Sequence, residues 1–552
     1  MKKYLLILSL TGFLLVNCCN MRKQKADFIL YNAKIYTVDS VLTVAEAMAV
    51  KNGKVLASGS ARDIFEQFNS GTQYNAGGKP VFPGFIDAHC HFYGYALNFR
   101  HVALNGCTSF AQVIERLKKS GEYKQGEWIV GRGWDQNQWK EKVFPDRKRL
   151  DEIYPDNPVV LTRIDGHVVL ANNRALELAG IDIHHSFNTG EVEIRHGSLT
   201  GILSETVADH MKNTVPKPSL EEQGRLLHLA REKCFEAGLT TVSDAGLGAE
   251  TVGMLDSMSS GGDSSFMIRI YAMLEPSRDN IDRYVRNGPY LTARLHVNSV
   301  KVYADGSMGS RTALMKQVYS DMPCIHGIQV ITADSLRKIC HLCLENGYQV
   351  NTHAIGDSAN RLVLDIYGEF LKEQNDLRWR IEHCQVVDPA DLYKFRKFSI
   401  IPSVQATHAT SDMAWAEDRL GPERVKWAYA YKKLLQQNGW LANGTDFPIE
   451  NISPVNTFYA AVARKDIKGN PEGGFQADNA LSREEALRSI TIWAAMADLW
   501  DNEIGSLEPG KNADFVILDQ DIMQVDIITV PKTLVLETFV GGHSVYKRFQ
   551  NP

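Results

Sequence analysis

Pro83-Gly84-Phe85-Ile86-Asp87-Ala88-His89-Cys90-His91 is the stretch on which the fold reading turns. An apolar strand expected over 81–88 runs straight into two histidines. Residues two apart on an extended chain share a side, so His89 and His91 point one way and Cys90 the other. Two imidazoles on one side, at the end of a buried strand, make half of a metal site. Cys90 between them reads as a packed core thiol. A His-x-His pair recurs by chance in many chains; the apolar Pro-Gly-Phe-Ile-Asp in front of it gives this one its weight.

The same pattern repeats outward from that point. Short apolar runs fall at 240–244, 267–273, 298–303, 348–353, 379–383, 399–404 and 440–445, most of them followed by a stretch of helical period. Ser335 to Asn346, with Leu336, Ile339, Leu342 and Leu344 at helical spacing, is one such stretch. With the first run these make eight β–α steps, the arithmetic of a closed parallel barrel over 81–500. Residues 95–235 break the rhythm. Rich in Trp, Asn and charge, they read as an insertion after the first strand, on the rim where barrel enzymes build their sites.

Both ends of the chain are β-rich. Phe28 to Val38 and Ala47 to Gly59 alternate in the strand manner, and Asn52-Gly53 between apolar runs signals a hairpin. Asp514 to Leu518, Leu534 to Phe539 and Val545-Tyr546 have the same texture. Chain termini often lie close together, so 27–80 and 502–550 are expected to form one composite β-sandwich domain; two independent caps are the other arrangement.

Four later strands carry chemistry at or near their C-terminal ends. Lys301 lies in Val300-Lys301-Val302-Tyr303, His353 ends Val350-Asn351-Thr352-His353, His383 ends Arg380-Ile381-Glu382-His383, and Asp446 closes Asn443-Gly444-Thr445-Asp446. Singly, each has a plain structural reading, such as a satisfied histidine or a snorkelling lysine. Their order along one barrel makes them a set. Asp305 and Arg311 follow Lys301, and Arg311 either grips a substrate carboxylate or pairs with an acidic loop residue. Trp134, Asp135 and His167 lie in the insertion and either roof the pocket or pack within that unit. His326 and His408 are weaker candidates. Cys340-His341-Leu342-Cys343 has metal-like spacing but sits in a helical stretch without a second pair, which favours packing.

With these residues in view, the sequence resembles the amidohydrolase superfamily, and within it the amidohydrolase-3 branch that includes N-substituted formamide deformylases. The likeness runs through Pro83 to His91, Gly131-Arg132-Gly133-Trp134-Asp135, Asp165-Gly166-His167, Lys301 to Ala313, His353, His383, Asp446 and Gly505 to Asp514. It implies an α/β fold: a distorted (β/α)₈ TIM barrel with a composite β-sandwich. It also implies roles. His89 and His91 would bind the more buried of two divalent metal ions, His353 and His383 the other. Lys301, carboxylated by CO₂, would bridge them; left as an ammonium, it would face the substrate over a single metal. Asp446 would ligate the first metal and act as general acid and base. Nitrogen and oxygen ligands with an open position suit zinc, with manganese or iron as alternatives. The implied activity is hydrolysis of an amide, N-formyl or N-acyl C–N bond in a small molecule. Deamination of a ring C=N at one metal, and non-catalytic ligand binding at a surface, are the alternatives.

The 552 residues carry a net charge of −5, with 44% hydrophobic and 23% charged residues, the make-up of a globular protein rather than a nucleic-acid binder. Nine cysteines are too sparse for a disulfide scaffold. Lys2 and Lys3 precede an apolar run from Leu5 to Val16, too short to span a bilayer. Residues 1–18 read as a lipoprotein signal with Cys18, or the adjacent Cys19, as the lipid-bearing residue. Its removal leaves 58 basic residues against 65 acidic, a net −7. The expected location is extracytoplasmic, tethered to a bacterial membrane only by that anchor. A homo-oligomer is left open.

Overall fold

The computed structural model describes residues 23–183, 191–216, 218–260 and 266–548. The expected signal and Cys18 and Cys19 lie outside the described residues.

Eight parallel strands form the central barrel: β1 (Phe85–Cys90), β2 (Leu239–Leu247), β3 (Arg269–Leu274), β4 (Leu295–Tyr303), β5 (Gln349–Ala354), β6 (Arg380–His383), β7 (Ile401–Val404) and β8 (Ala442–Asn443). They pair in sequence order, with β1 beside β2 at one edge and β8 beside β7 at the other. Backbone bonds join those two edges. The Asp446 N–H donates to the His89 carbonyl at 2.8 Å, and the His91 N–H donates to the Phe447 carbonyl at 2.8 Å. Gly444 permits this approach, because a β-carbon there would stand 2.5 Å from the His89 backbone nitrogen. Asp87 ties the same seam, accepting the Thr445 N–H at 3.0 Å and the Thr445 hydroxyl at 2.6 Å.

The barrel strands are buried on both faces, which is why they read as continuous apolar runs. The first expected strand, 81–88, divides at Gly84. Val81–Pro83 end a long outer strand, Thr72–Pro83, while β1 starts at Phe85. Hydrogen-bond partners change at that point: the Gly84 N–H donates to the Asp514 carbonyl and the Phe85 N–H to the Gly238 carbonyl.

Thr72–Pro83 belongs to a second sheet built from both chain ends. It pairs with Phe28–Tyr36 on one side and antiparallel with Phe515–Leu518 on the other, with Val516 opposite Phe82. The sheet continues through Ala47–Lys51 and Lys54–Gly59 at one edge, and through Val535–Val540 and His543–Lys547 at the other. Asn52 and Gly53 both take positive φ in the hairpin between Ala47–Lys51 and Lys54–Gly59.

The interruption after β1 is a folded unit. Six strands run in the order Val192–Arg195, Ser198–Ser204, Val168–Ala171, Val159–Arg163, Ile129–Trp134, Val102–Ala103. Apolar clusters pack on this sheet, one around Leu104, Trp134, Trp139 and Leu161 and another around Leu176, Val207 and Met211. The unit ends with the helix Glu205–Thr214. The next helix, Leu220–Glu236, buries Leu226, Leu227, Ala230 and Phe235 in the barrel's own core, so it belongs to the barrel and not to an insertion reaching 235.

Candidate metal centre

The polar interior of the barrel converges at the C-terminal ends of its strands. His89 is wholly buried in β1, and its Nδ1 lies 2.6 Å from Glu382 Oε2. Arg380 holds Glu382 as a carboxylate from the same strand, at 2.9 Å. Burial alone would raise the Glu382 pKa, but the charge of Arg380 and the hydrogen bond from His89 pull it down to about 2. A carboxylate can only accept, so His89 donates from Nδ1 and presents a lone pair at Nε2. Burial likewise keeps His89 neutral, its pKa lowered to about 4.

The other rings are fixed the same way. His91 caps the short helix Phe92–Asn98 and donates from Nδ1 to the Ala245 carbonyl at 3.1 Å. His353, at the end of β5, donates from Nε2 to the Gly306 carbonyl at 3.1 Å. His383, at the end of β6, faces Gln405 Oε1 through Nδ1 at 2.8 Å. Burial lowers the pKa values of His353 and His383, and each of these neutral rings turns its second nitrogen away from that partner as an acceptor. The His383 ring centre lies 4.5 Å from that of His353 and 4.8 Å from that of His89.

Asp446 closes the group. Its Oδ1 lies 3.3 Å from His91 Nε2 and 3.7 Å from His89 Nε2. That oxygen is buried without a hydrogen-bond partner. The His89 Nε2 lone pair and a carboxylate oxygen facing it repel unless a cation sits between them. His89, His383 and Asp446 offer ligand atoms all within 4.8 Å of one another. The residues present thus fit a metal ion. His383 and Asp446 adopt φ of +77° and +61°, rare for residues with a β-carbon and a form of strain that gathers at functional sites. Lys301, in β4, is wholly buried with Nζ 3.1 Å from His89 Nε2, and burial lowers its pKa to about 8.

His408 is the residue the strand-end pattern undervalued. It lies on the helix Ala406–Asp412, its Nε2 3.5 Å from Asp446 Oδ2 and its Nδ1 2.9 Å from Gln385 Nε2. His167 comes in from the inserted unit. Its ring centre lies 5.5 Å from that of His353, and its Nδ1 is 2.9 Å from Glu205. Burial would lower its pKa, but Glu205 outweighs this and raises it to about 9, so His167 brings a positive charge to the mouth of the barrel.

Other candidates take structural places. Trp134 is no pocket wall: it is 1% exposed in the core of the inserted unit, its Nε1 donating to the Leu161 carbonyl at 2.8 Å. Asp135 pairs with Arg163 at 2.6 Å. Asp305 is wholly buried and accepts the backbone N–H groups of Leu314, Ile355 and Gly356, at 2.9, 3.0 and 2.8 Å. It orders the loop beyond His353 rather than meeting a substrate. Arg311 is held by both oxygens of Asp321, at 3.1 and 2.8 Å. Cys90 points away from the site, its thiol 3.4 Å from the Ser243 carbonyl. Cys340 and Cys343 face the core from the helix Ala333–Glu345, while His341 is exposed. His326 lies against the Met315 carbonyl, away from the histidine group.

Among curated proteins, the chain is 34% identical to Protein LONG AFTER FAR-RED 3 of Arabidopsis thaliana over 543 residues, covering 94% of this chain and 92% of that one. It is 26% identical to the N-substituted formamide deformylase of Arthrobacter pascens over 550 residues, covering 95% and 99%. Among solved structures it is similar to a metal-dependent hydrolase from Pyrococcus horikoshii OT3, with a TM-score of 0.75 and 31% identity, covering 91% of this chain and 99% of that one. The family model for amidohydrolases matches residues 73–546, the barrel with the inserted unit and four of the eight strands of the terminal sheet, and the chain belongs to the amidohydrolase family of metal-dependent hydrolases.

Proposed function

We propose that the protein hydrolyses a C–N bond of a small amide, N-formyl or N-acyl compound, with two divalent metal ions held by His89, His91, Lys301, His353, His383 and Asp446. The observation that carries this reading is the partnerless Asp446 Oδ1, buried against the Nε2 atoms of His89 and His91. Zinc suits these donors. When bound, the metals supply Lewis acidity toward the carbonyl and lower the pKa of the attacking water.

The chain's own residues do the rest. Asp446 takes the proton of the water and returns it to the leaving nitrogen, as a positioned base and then acid. His167, charged through Glu205, donates a hydrogen bond toward the oxygen that gains negative charge. Lys301 enters the ligand set as a carbamate, which offers two anionic oxygens where an ammonium offers none. Its burial beside His89 Nε2 supports that assignment. The basic Lys2-Lys3, the apolar run Leu5 to Val16 and Cys18, or Cys19 beside it, support a lipid-anchored location outside the cytoplasm.

Metal content per chain, measured on protein beginning after Cys19 and purified without chelators, tests this directly. About two metals, falling in Lys301→Ala, together with amide hydrolysis abolished in His353→Ala, is the expected result. One metal that Lys301→Ala leaves in place, with ammonia released from nucleobases and no amide cleaved, would replace the reading by deamination.

A further inference from the structure

At the mouth of the barrel, Arg132 is a cation with no direct ion pair among the described residues. It lies on the strand Ile129–Trp134 of the inserted unit. That strand bulges where Arg132 gives way to Trp134, so that the register with Val159–Arg163 shifts. The bulge rests on Gly133, at φ +104°, where a β-carbon would stand 2.3 Å from Asn105 Oδ1. Bulges beside active sites serve to re-aim a side chain. Here Gly131 and Trp134 go to the inserted unit's interior, while Arg132 goes the other way.

Its guanidinium lies over Gly166, where a methyl group would meet Nη2 at 3.4 Å. The next residue is His167, whose ring packs on His353. Arg132 is also close enough to Asp165, and then to Asp446, for the charges to register. Yet among the described residues it forms no ion pair: its hydrogen bond runs from Nη2 to the Ile164 carbonyl at a long 3.4 Å, and its Nε is enclosed without a partner there. The nearest carboxylate is already engaged. Asp165 Oδ2 takes Arg163, Ser307 and Ser310, at 2.6, 2.7 and 2.6 Å, and its Oδ1 takes the His167 N–H. The neighbouring arginines differ, since Arg163 and Arg311 both have carboxylate partners. A half-buried guanidinium whose Nε is enclosed without a partner is costly unless a ligand brings an anion.

We infer that Arg132 is the anchor for a carboxylate on the substrate, so that the bond cleaved at the metal centre belongs to an N-acylated amino acid or a similar anionic amide. The inference rests on the hydrolase reading above and adds the charge of the substrate to it. A planar guanidinium suits a carboxylate because it can donate two parallel hydrogen bonds.

The test compares binding and turnover of N-acetyl-leucine with those of N-acetyl-leucinamide, in both D and L forms, on the metal-loaded protein. Calorimetry reads binding without requiring cleavage, so failure of this inference and failure of the hydrolase reading appear separately. The wild type is expected to prefer the carboxylate by about 10- to 100-fold, the range of a charged hydrogen bond. Arg132→Met should bring the ratio near one, and Arg132→Lys, which keeps the charge and loses the fork, should restore part of it. Should Arg132→Met not fold, Arg132→Lys and Arg132→Gln supply the comparison. Absence of preference in the wild type, a preference unchanged in the variants, or binding of neither compound would overturn the anchor. Preferential binding of the carboxylate without cleavage of any N-acyl or N-formyl compound would keep the anchor and defeat the hydrolase reading.

Discussion

Glu382 and His89 meet at 2.6 Å with both side chains wholly buried, and this contact decides which nitrogen His89 offers to the site. The chain of charges runs deeper. Arg380 bridges Glu382 to Asp498 at 3.0 Å, and Asp498 accepts from Ser243 at 2.8 Å. A histidine oriented by a carboxylate, itself held by an arginine, has the support expected of the metal ligand proposed for His89.

Glu382→Gln should therefore weaken metal binding by about 10- to 100-fold, the usual cost of losing such a partner. Chelator competition followed by metal analysis reads this directly. Arg380→Met should act through the fold instead. It leaves two buried carboxylates facing each other and should destabilise the protein by about 3–5 kcal/mol, measurable by denaturant unfolding. Metal retention equal to wild type in Glu382→Gln would mean that His89 is oriented by something else.

Gly444→Ala tests how the barrel closes. The added methyl would meet the His89 nitrogen at 2.5 Å and the His89 carbonyl oxygen at 2.8 Å, and backbone cannot swing aside as a side chain can. Overpacking of this kind costs about 1–3 kcal/mol or more. Because the clash is with the backbone of a ligand, metal content should fall alongside the melting temperature. A variant that loses stability but binds metal as wild type would separate the seam from the site.

Sequence patterns located the barrel and most of the histidine group for a physical reason. Strands buried on both faces must be apolar throughout, so a charged or imidazole residue at their end stands out. Glu382 and Arg380 were passed over in the sequence, although charges two apart in a buried strand share one face. His408 was not marked in this way, because it reaches Asp446 from a helix rather than a strand end. The partners of Asp305 and Arg311 are set by loops that only the folded chain brings together. An aromatic such as Trp134 suits a pocket wall and a core equally well, and only its neighbours decide.

Trp134→Ala should accordingly cost stability rather than selectivity. The indole packs with Trp139 and Phe144 in the core of the inserted unit, at ring-centre distances of 6.0 and 6.2 Å. Truncation of a large buried aromatic costs about 3–5 kcal/mol. Thermal unfolding should show an earlier transition, while the relative rates on different substrates at low temperature stay as in wild type. A changed substrate order in well-folded Trp134→Phe would return Trp134 to the pocket.

Asp321 offers a pH-dependent test away from the metal ligands. Burial tends to raise its pKa, but the Arg311 hydrogen bonds and the charges of Arg419 and Arg311 outweigh it and hold the carboxyl below its ordinary range. Through these bonds Asp321 joins the segment after β4 to the helix Ala416–Arg424. A carboxyl with a depressed pKa in the folded state stabilises above its unfolded pKa and loses that contribution as pH falls through the folded value. Asp321→Asn should thus unfold more readily than wild type at pH 7, by on the order of 1 kcal/mol for a partly exposed pair. The gap should narrow from about pH 4 downward, as protonation removes the same charge from the wild type. Urea unfolding of both proteins across that interval measures it; a gap that stays constant with pH would show that the Asp321 charge contributes nothing and that only its packing matters.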